Sequence, residues 1–197
     1  MQTLIPLIQG AGYLGIFGAI FAESGLLIGV ILPGDTLLFA SGLLASRGFL
    51  NITVLLVGST LAAILGDSVG YWMGKKFGPR IFNREDSFFF KKAYVARAES
   101  FFKKYGKNTI FLSRYVPIVR TIVPILAGVG NMPYKTFITY NIIGGITWCV
   151  SLLLLGYFLG TTVPNIDAYI LPIVGFIFVI SLIPLIRQFV SHKREHN

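Results

Sequence analysis

Apolar residues run along this chain in five long stretches, and three of them meet the length a membrane requires without strain. Crossing about 30 Å of hydrocarbon takes about 20 consecutive apolar residues in a helix, a length met by residues 50–74, 136–160 and 168–190. The stretch 11–46 is interrupted by Glu23, Gly25, Gly29 and the run Pro33-Gly34-Asp35-Thr36, and the stretch 109–132 by Arg114, Pro117, Arg120 and Pro124. Proline removes a backbone donor, and a bilayer holds no water to satisfy the carbonyl it frees. Each broken stretch is therefore expected to be two half-length helices joined at a tip, a re-entrant hairpin. The pattern predicts an all-α integral membrane protein, with two re-entrant helical hairpins and about three full transmembrane helices.

Composition strengthens this reading. Of 197 residues, 54% are hydrophobic and 13% charged, which leaves too little polar surface for a soluble domain of this size. A disordered chain, a disulfide scaffold and a collagen-like repeat are excluded by the apolar content, the single Cys149 and the lack of a Gly-X-Y period. The formal net charge of +9 would suggest nucleic acid in a soluble protein. Here its distribution points to a membrane surface instead: residues 75–107 hold ten basic and three acidic residues, and Arg187, Lys193 and Arg194 follow Ile186 against Glu195. Basic flanks mark the cytoplasmic side. The opening MQTLIPLIQG has no basic leader and no cleavage site, so no removable signal peptide is expected.

Two cytoplasmic basic segments require an even number of crossings between them. The spans 136–160 and 168–190 supply two, which leaves 109–132 to cross zero times, as a re-entrant hairpin does. The intervening loop 161–168 carries Asp167 and no Lys or Arg, as an outer loop should. The expected arrangement is multi-pass, with the connector and the C-terminus in the cytoplasm.

The chain also repeats itself. Glu23 to Pro33 and Arg114 to Pro124 are each ten residues long, at an offset of 91 that also relates Gly15 to Gly106. The Gly-x-x-x-Gly pairs Gly74/Gly78 and Gly156/Gly160 are related by an offset of 82. A single membrane domain over 1–197 then divides into repeat A, 11–78, a basic amphipathic connector, 79–105, repeat B, 106–160, and a C-terminal helix, 168–190. Repeat A starts outside and ends inside while repeat B does the reverse, an inverted repeat of the kind found in many transporters. Small residues every four positions from Gly58 to Gly78 form a ladder that lets another helix approach closely, read as packing. In the connector, Phe90, Tyr94, Ala98, Phe101 and Tyr105 recur at helical spacing among lysines, an interfacial helix on anionic headgroups.

Ionisable residues at membrane depth are costly and mark function. Glu23, Asp35, Arg114 and Arg120 sit at or beside the hairpin tips, so facing hairpins would bring two carboxylates to two guanidiniums. A plainer account makes them structural ion pairs, with Asp35 an N-cap of the returning arm after Pro33-Gly34. Asp67 lies on the glycine-lined span as a packing or polar-contact residue or as a fifth member of the set. With all five ionised, one negative charge is unpaired, which makes Glu23, Asp35 and Asp67 the candidates for proton coupling. Arginine grips phosphate through its bidentate fork. Half-helix N-termini after Pro33 and Pro124 would add positive dipole ends. An anionic headgroup suits such a site.

Enzyme signatures are thin. No nucleotide-binding glycine loop and no zinc-protease motif occurs, His192 and His196 sit in the polar tail, and Cys149 stands alone in a span. No cofactor, no metal and no nucleic-acid partner is expected. Trp72, Trp148 and the nine tyrosines read as interface anchors or packing.

These residues resemble a known family. Phe21-Ala-Glu23-Ser-Gly25, Pro33-Gly34-Asp35-Thr36-Leu-Leu, Gly66-Asp67 with Tyr71 and Gly74, Arg114-Tyr-x-Pro117-x-x-Arg120, Ala127-Gly128 with Met132, and Asn141 with Gly145 and Trp148 are similar in order and spacing to the bacterial DedA family, within the VTT-domain superfamily. The resemblance covers about 11–160. It implies a lipid translocase concerned with membrane homeostasis, with members that return undecaprenyl phosphate to the cytoplasmic leaflet, others that move phospholipids, and eukaryotic relatives that scramble lipids. It further implies that Glu23, Asp35, Arg114 and Arg120 are functional and linked to the proton gradient, supported by Pro33, Gly34, Tyr71, Pro117, Pro124, Asn141 and Trp148.

The expected function is a flippase for an anionic lipid, undecaprenyl phosphate first, coupled to protons and without enzymatic activity. A phosphatidylethanolamine flippase or scramblase, or an ion-coupled carrier of a small solute, is the alternative. The partners expected are a phosphate-bearing lipid, protons and an anionic lipid surface at the connector, with a second copy of the chain left open.

Overall fold

The structure, a computed structural model, describes residues 4–25, 34–82, 102, 104–116 and 119–162. The C-terminal span 168–190, the outer loop from 163, most of the basic connector, the tail histidines, Pro33 and Pro117 lie outside the described residues. Every described element is helical. Helix α1 covers Leu4–Gly25, α2 Gly34–Ser46, α3 Ile52–Phe82, α4 Thr109–Ser113, α5 Val119–Val129 and α6 Tyr134–Thr162. Residues 52–77 of α3 and all of α6 are long and apolar enough to cross a membrane.

The element boundaries follow from local chemistry. Helix α2 ends in a Schellman cap: Gly48 adopts φ +78, its N–H donates to the Ala45 carbonyl at 3.0 Å, and that of Phe49 to Leu44 at 3.2 Å. Helix α5 ends the same way, with Asn131 at φ 51 and Met132 N–H donating to the Ala127 carbonyl at 3.0 Å. Asn51 caps α3, its Oδ1 accepting from the N–H groups of Thr53 and Val54 at 2.9 and 3.2 Å.

Each half of the chain contains a broken segment, α1–α2 or α4–α5, followed by one long helix, α3 or α6. Helix α1 packs on α3 and α4 on α6, but the returning arms exchange: α2 packs on α6, and α5 on α3. Both exchanged contacts use the same device. A Cβ at Gly42 would overlap the backbone of Leu153, and one at Gly156 the carbonyl of Phe39; a Cβ at Gly74 would overlap the carbonyl of Ile125, and one at Gly128 that of Tyr71. In each pair, a glycine meets the residue three before the partner glycine, so both helices come together backbone to backbone.

These contacts revise the internal alignment. Gly42 corresponds to Gly128 at an offset of 86, whereas Glu23 corresponds to Arg114 at 91, so the second tip is five residues shorter than the first. The half-helix N-terminus expected after Pro124 is therefore at Val119. Pro124 is the sixth residue of α5, inside the helix. Its ring removes the bond to the Arg120 carbonyl, yet α5 continues, buried without interruption from Thr121 to Gly128 against α3.

Helix α5 has 11 residues, about 16 Å at the usual rise, half the thickness of a hydrocarbon core. The Lys107 ammonium lies 5.9 Å from the Tyr140 ring, so the segment that begins before α4 and ends at Asn131 returns to the first turns of α6. Two apolar clusters form around this frame. One joins Tyr71, Ile110, Val123 and Phe137, and the other Ile20, Leu38, Leu55, Trp148 and Leu153. Along α3 and α6, the polar residues Asp67 and Asn141 fall between the two.

Candidate functional site

Charge is expensive in this seam, where a buried ion costs several kcal/mol unless paired and hydrogen-bonded. All three carboxylates of the described residues, Glu23, Asp35 and Asp67, meet an arginine there. Arg120, one residue into α5, donates from Nη1 to Asp35 Oδ1 at 2.7 Å and from Nη2 to Glu23 Oε1. Arg114, just past the end of α4, donates from Nη2 to Asp67 Oδ2 and to Asn141 Oδ1. Asn141 is fully buried and its amide donates to the Ile64 carbonyl at 3.1 Å, which fixes the amide's orientation toward Arg114.

The expected meeting of two carboxylates with two guanidiniums is thus divided differently. Glu23 and Asp35 both converge on Arg120, and Arg114 is satisfied by the long helices. Asp67 is an ion-pair partner rather than a packing residue. Asp35 is the second residue of α2, and its Oδ1 is used across the bundle: besides Arg120 it accepts the indole N–H of Trp148 at 2.8 Å. Glu23 and Asp35 differ sharply in wetness, with side chains 1% and 42% exposed.

Trp148 stands among all of these groups. The Arg114 and Arg120 guanidinium carbons lie 5.9 and 5.3 Å from its ring centroid, within cation–π range. Gly34 leaves room for the Glu23 carboxylate, which a Cβ there would strike. Gly144 does the same for Arg114, whose Cδ is 3.0 Å from where a Cβ would stand. Sequence reasoning missed Gly144, although a glycine pair inside an apolar helix is the signal for a close approach. Tyr71 is elsewhere: its hydroxyl donates to the Met132 carbonyl at 2.5 Å and its ring stacks on Phe137, pinning the turn between α5 and α6.

Two spaces adjoin the cluster. An inner pocket of about 10 Å³, the size of one water, is lined by Ser24, Asp67, Arg114, Arg120 and Trp148. An outer cavity of about 310 Å³ is lined by Asp35, Arg114, Tyr115, Trp148, Ser151, Leu152 and Leu155. Tyr115, Ser151 and Leu155 are exposed at its rim. Ile142, Ile143, Ile146 and Phe158 are exposed elsewhere on α6.

A family model for the VTT domain matches residues 32–158. The DedA protein of Escherichia coli strain K12 is 41% identical over 184 residues, which is 92% of this chain and 84% of that protein. The chain belongs to the DedA family of VTT-domain membrane proteins. An uncharacterized membrane protein of Mycobacterium tuberculosis is 44% identical over 172 residues, 86% of this chain and 75% of its own. Another, from Synechocystis, is 33% identical over 164 residues, 83% and 74% of the two chains. No solved structure matches. In this DedA-family protein seven residues of the motifs quoted from the sequence meet at one place: the Glu23, Asp35, Asp67, Arg114, Arg120, Asn141 and Trp148 side chains form one connected set.

Proposed function

We propose that this DedA-family protein is a carrier, not an enzyme, that moves an anionic lipid across the bacterial cytoplasmic membrane, with undecaprenyl phosphate as the lipid and protons as the coupling ion. One observation carries the reading: Arg114 lines a cavity whose other walls include Trp148, Leu152 and the exposed Leu155. Such a cavity offers a guanidinium to a phosphate and a lateral apolar path to its tail. A small-solute carrier would need a site closed to the bilayer. Proton coupling is supported by the charge balance, since three carboxylates face two guanidiniums in the cluster. The two broken segments are then re-entrant hairpins, the basic connector lies on the anionic cytoplasmic surface, and the C-terminus is inside.

A second reading rests on Asp35, whose half-wet carboxylate lines the same cavity as Arg114 and would receive the ammonium of a zwitterionic headgroup such as phosphatidylethanolamine. Liposomes reconstituted with the protein and labelled polyprenyl phosphate separate the two. Under the first reading, the label crosses and excess phosphatidylethanolamine does not compete; under the second, phosphatidylethanolamine competes or is itself the species moved.

A further inference from the structure

We propose that the Trp148 indole is the partition between the outer cavity and the inner pocket, held shut by its N–H on Asp35, and that its displacement admits an anionic group from Arg114 to Arg120. The identity of that group rests on the anionic-lipid reading above; the partition itself does not.

Trp148 and Arg114 are the two residues common to the walls of both spaces. Arg120 lines only the inner one, which has room for a water and none for a phosphate. An anion arriving from the outer cavity therefore meets Arg114 and is stopped by the indole, which is itself 3% exposed. The indole has one donor, and Asp35 Oδ1 receives it at 2.8 Å while also receiving Arg120 Nη1 at 2.7 Å. Any group that draws Arg120 or Asp35 out of this arrangement loosens the indole in the same movement, so the latch and the inner arginine are released together. The closed state also leaves the buried Nε of Arg114 without a hydrogen-bond partner, a donor available to whatever enters. From the outer cavity, then, Arg114 is met first and Arg120 lies behind the ring.

Ser24 lines the inner pocket and not the outer cavity, so Ser24→Cys reports on passage. Cys149, the one native cysteine, is replaced by Ala, and the full chain in detergent micelles is reacted with a sulfonate-bearing methanethiosulfonate. With Trp148 intact, modification should be slow. Trp148→Phe keeps a ring and loses the latch, and should react about fivefold faster, the change in open population that loss of one ordinary hydrogen bond brings. Trp148→Ala removes the ring and should react faster still. Equal rates in all three proteins would overturn the partition, and if Trp148→Ala fails to elute as a folded species, the Trp148→Phe comparison decides alone. Faster labelling in a protein that moves no lipid phosphate would leave the partition standing and reject the anionic-lipid reading.

Discussion

Arg120 donates to Asp35 Oδ1 at 2.7 Å across 85 residues of sequence, joining the start of one returning arm to the start of the other. The pair lies where the two exchanged helices of the fold, α2 and α5, both begin. Its geometry requires the guanidinium fork, because a second nitrogen of the same group reaches Glu23. Arg120→Lys keeps the charge and loses one of these two contacts. It should lose at least about tenfold in transport, a loss equal to about one charge-assisted hydrogen bond, with membrane insertion unchanged. Transport at the parental rate in liposomes, with equal protein incorporated, would reduce Arg120 to a generic counter-ion.

The carboxylates are expected to separate from simple capping. Asn caps a helix about as well as Asp, so a pure N-cap at position 35 would tolerate Asp35→Asn. Asp35 instead holds Arg120 and Trp148, and Asp35→Asn should impair transport as severely as Glu23→Gln. Glu23→Gln should also abolish the response of transport to an imposed pH gradient, since the amide cannot titrate. Measuring the rate with and without the gradient in both variants checks the two statements together.

The buried pair of Arg114 and Asp67 yields to a double-mutant cycle. Asp67→Ala leaves an uncompensated guanidinium and should cost about 3–5 kcal/mol of stability. Adding Arg114→Met removes the orphaned charge and should restore most of the melting temperature in detergent, without restoring transport. A double variant as unstable as Asp67→Ala alone would contradict the pairing.

The charged residues were legible in the sequence because a charge inside an apolar stretch has to be explained, and all five found partners in one cluster. Their pairing was not legible. Whether Asp67 or Glu23 meets Arg114 depends on how α3 and α6 cross, and side-chain identity alone does not encode that. The second tip was misplaced for a related reason: Pro33 and Pro124 share an offset with Glu23 and Arg114, but α5 is packed tightly enough on α3 to run through its proline, so the chain breaks before Val119 instead. The glycine ladder announced a close approach without naming its partner.

Those partners make a stability test. Gly74→Ala and Gly156→Ala drive a Cβ into the carbonyls of Ile125 and Phe39, and each should destabilise by about 1–3 kcal/mol, the usual cost of overpacking. Gly15 has nothing within 4 Å of a Cβ. Gly15→Ala should therefore be neutral, or stabilising by up to about 1 kcal/mol of helix propensity. Thermal melts of the three variants in one detergent provide the comparison.

The central claim, that the cavity beside Arg114 carries a lipid by its phosphate, is tested most directly by presenting the same polyprenyl chain with and without that group. Liposomes containing the protein are loaded with labelled polyprenyl phosphate or with the labelled polyprenol, and transfer between leaflets is followed in each. Protein-dependent transfer of the phosphate, with the alcohol moving no faster than in protein-free liposomes, is the result expected. Equal protein-dependent transfer of both would contradict the claim, because the arginines would then have no part in choosing what is moved.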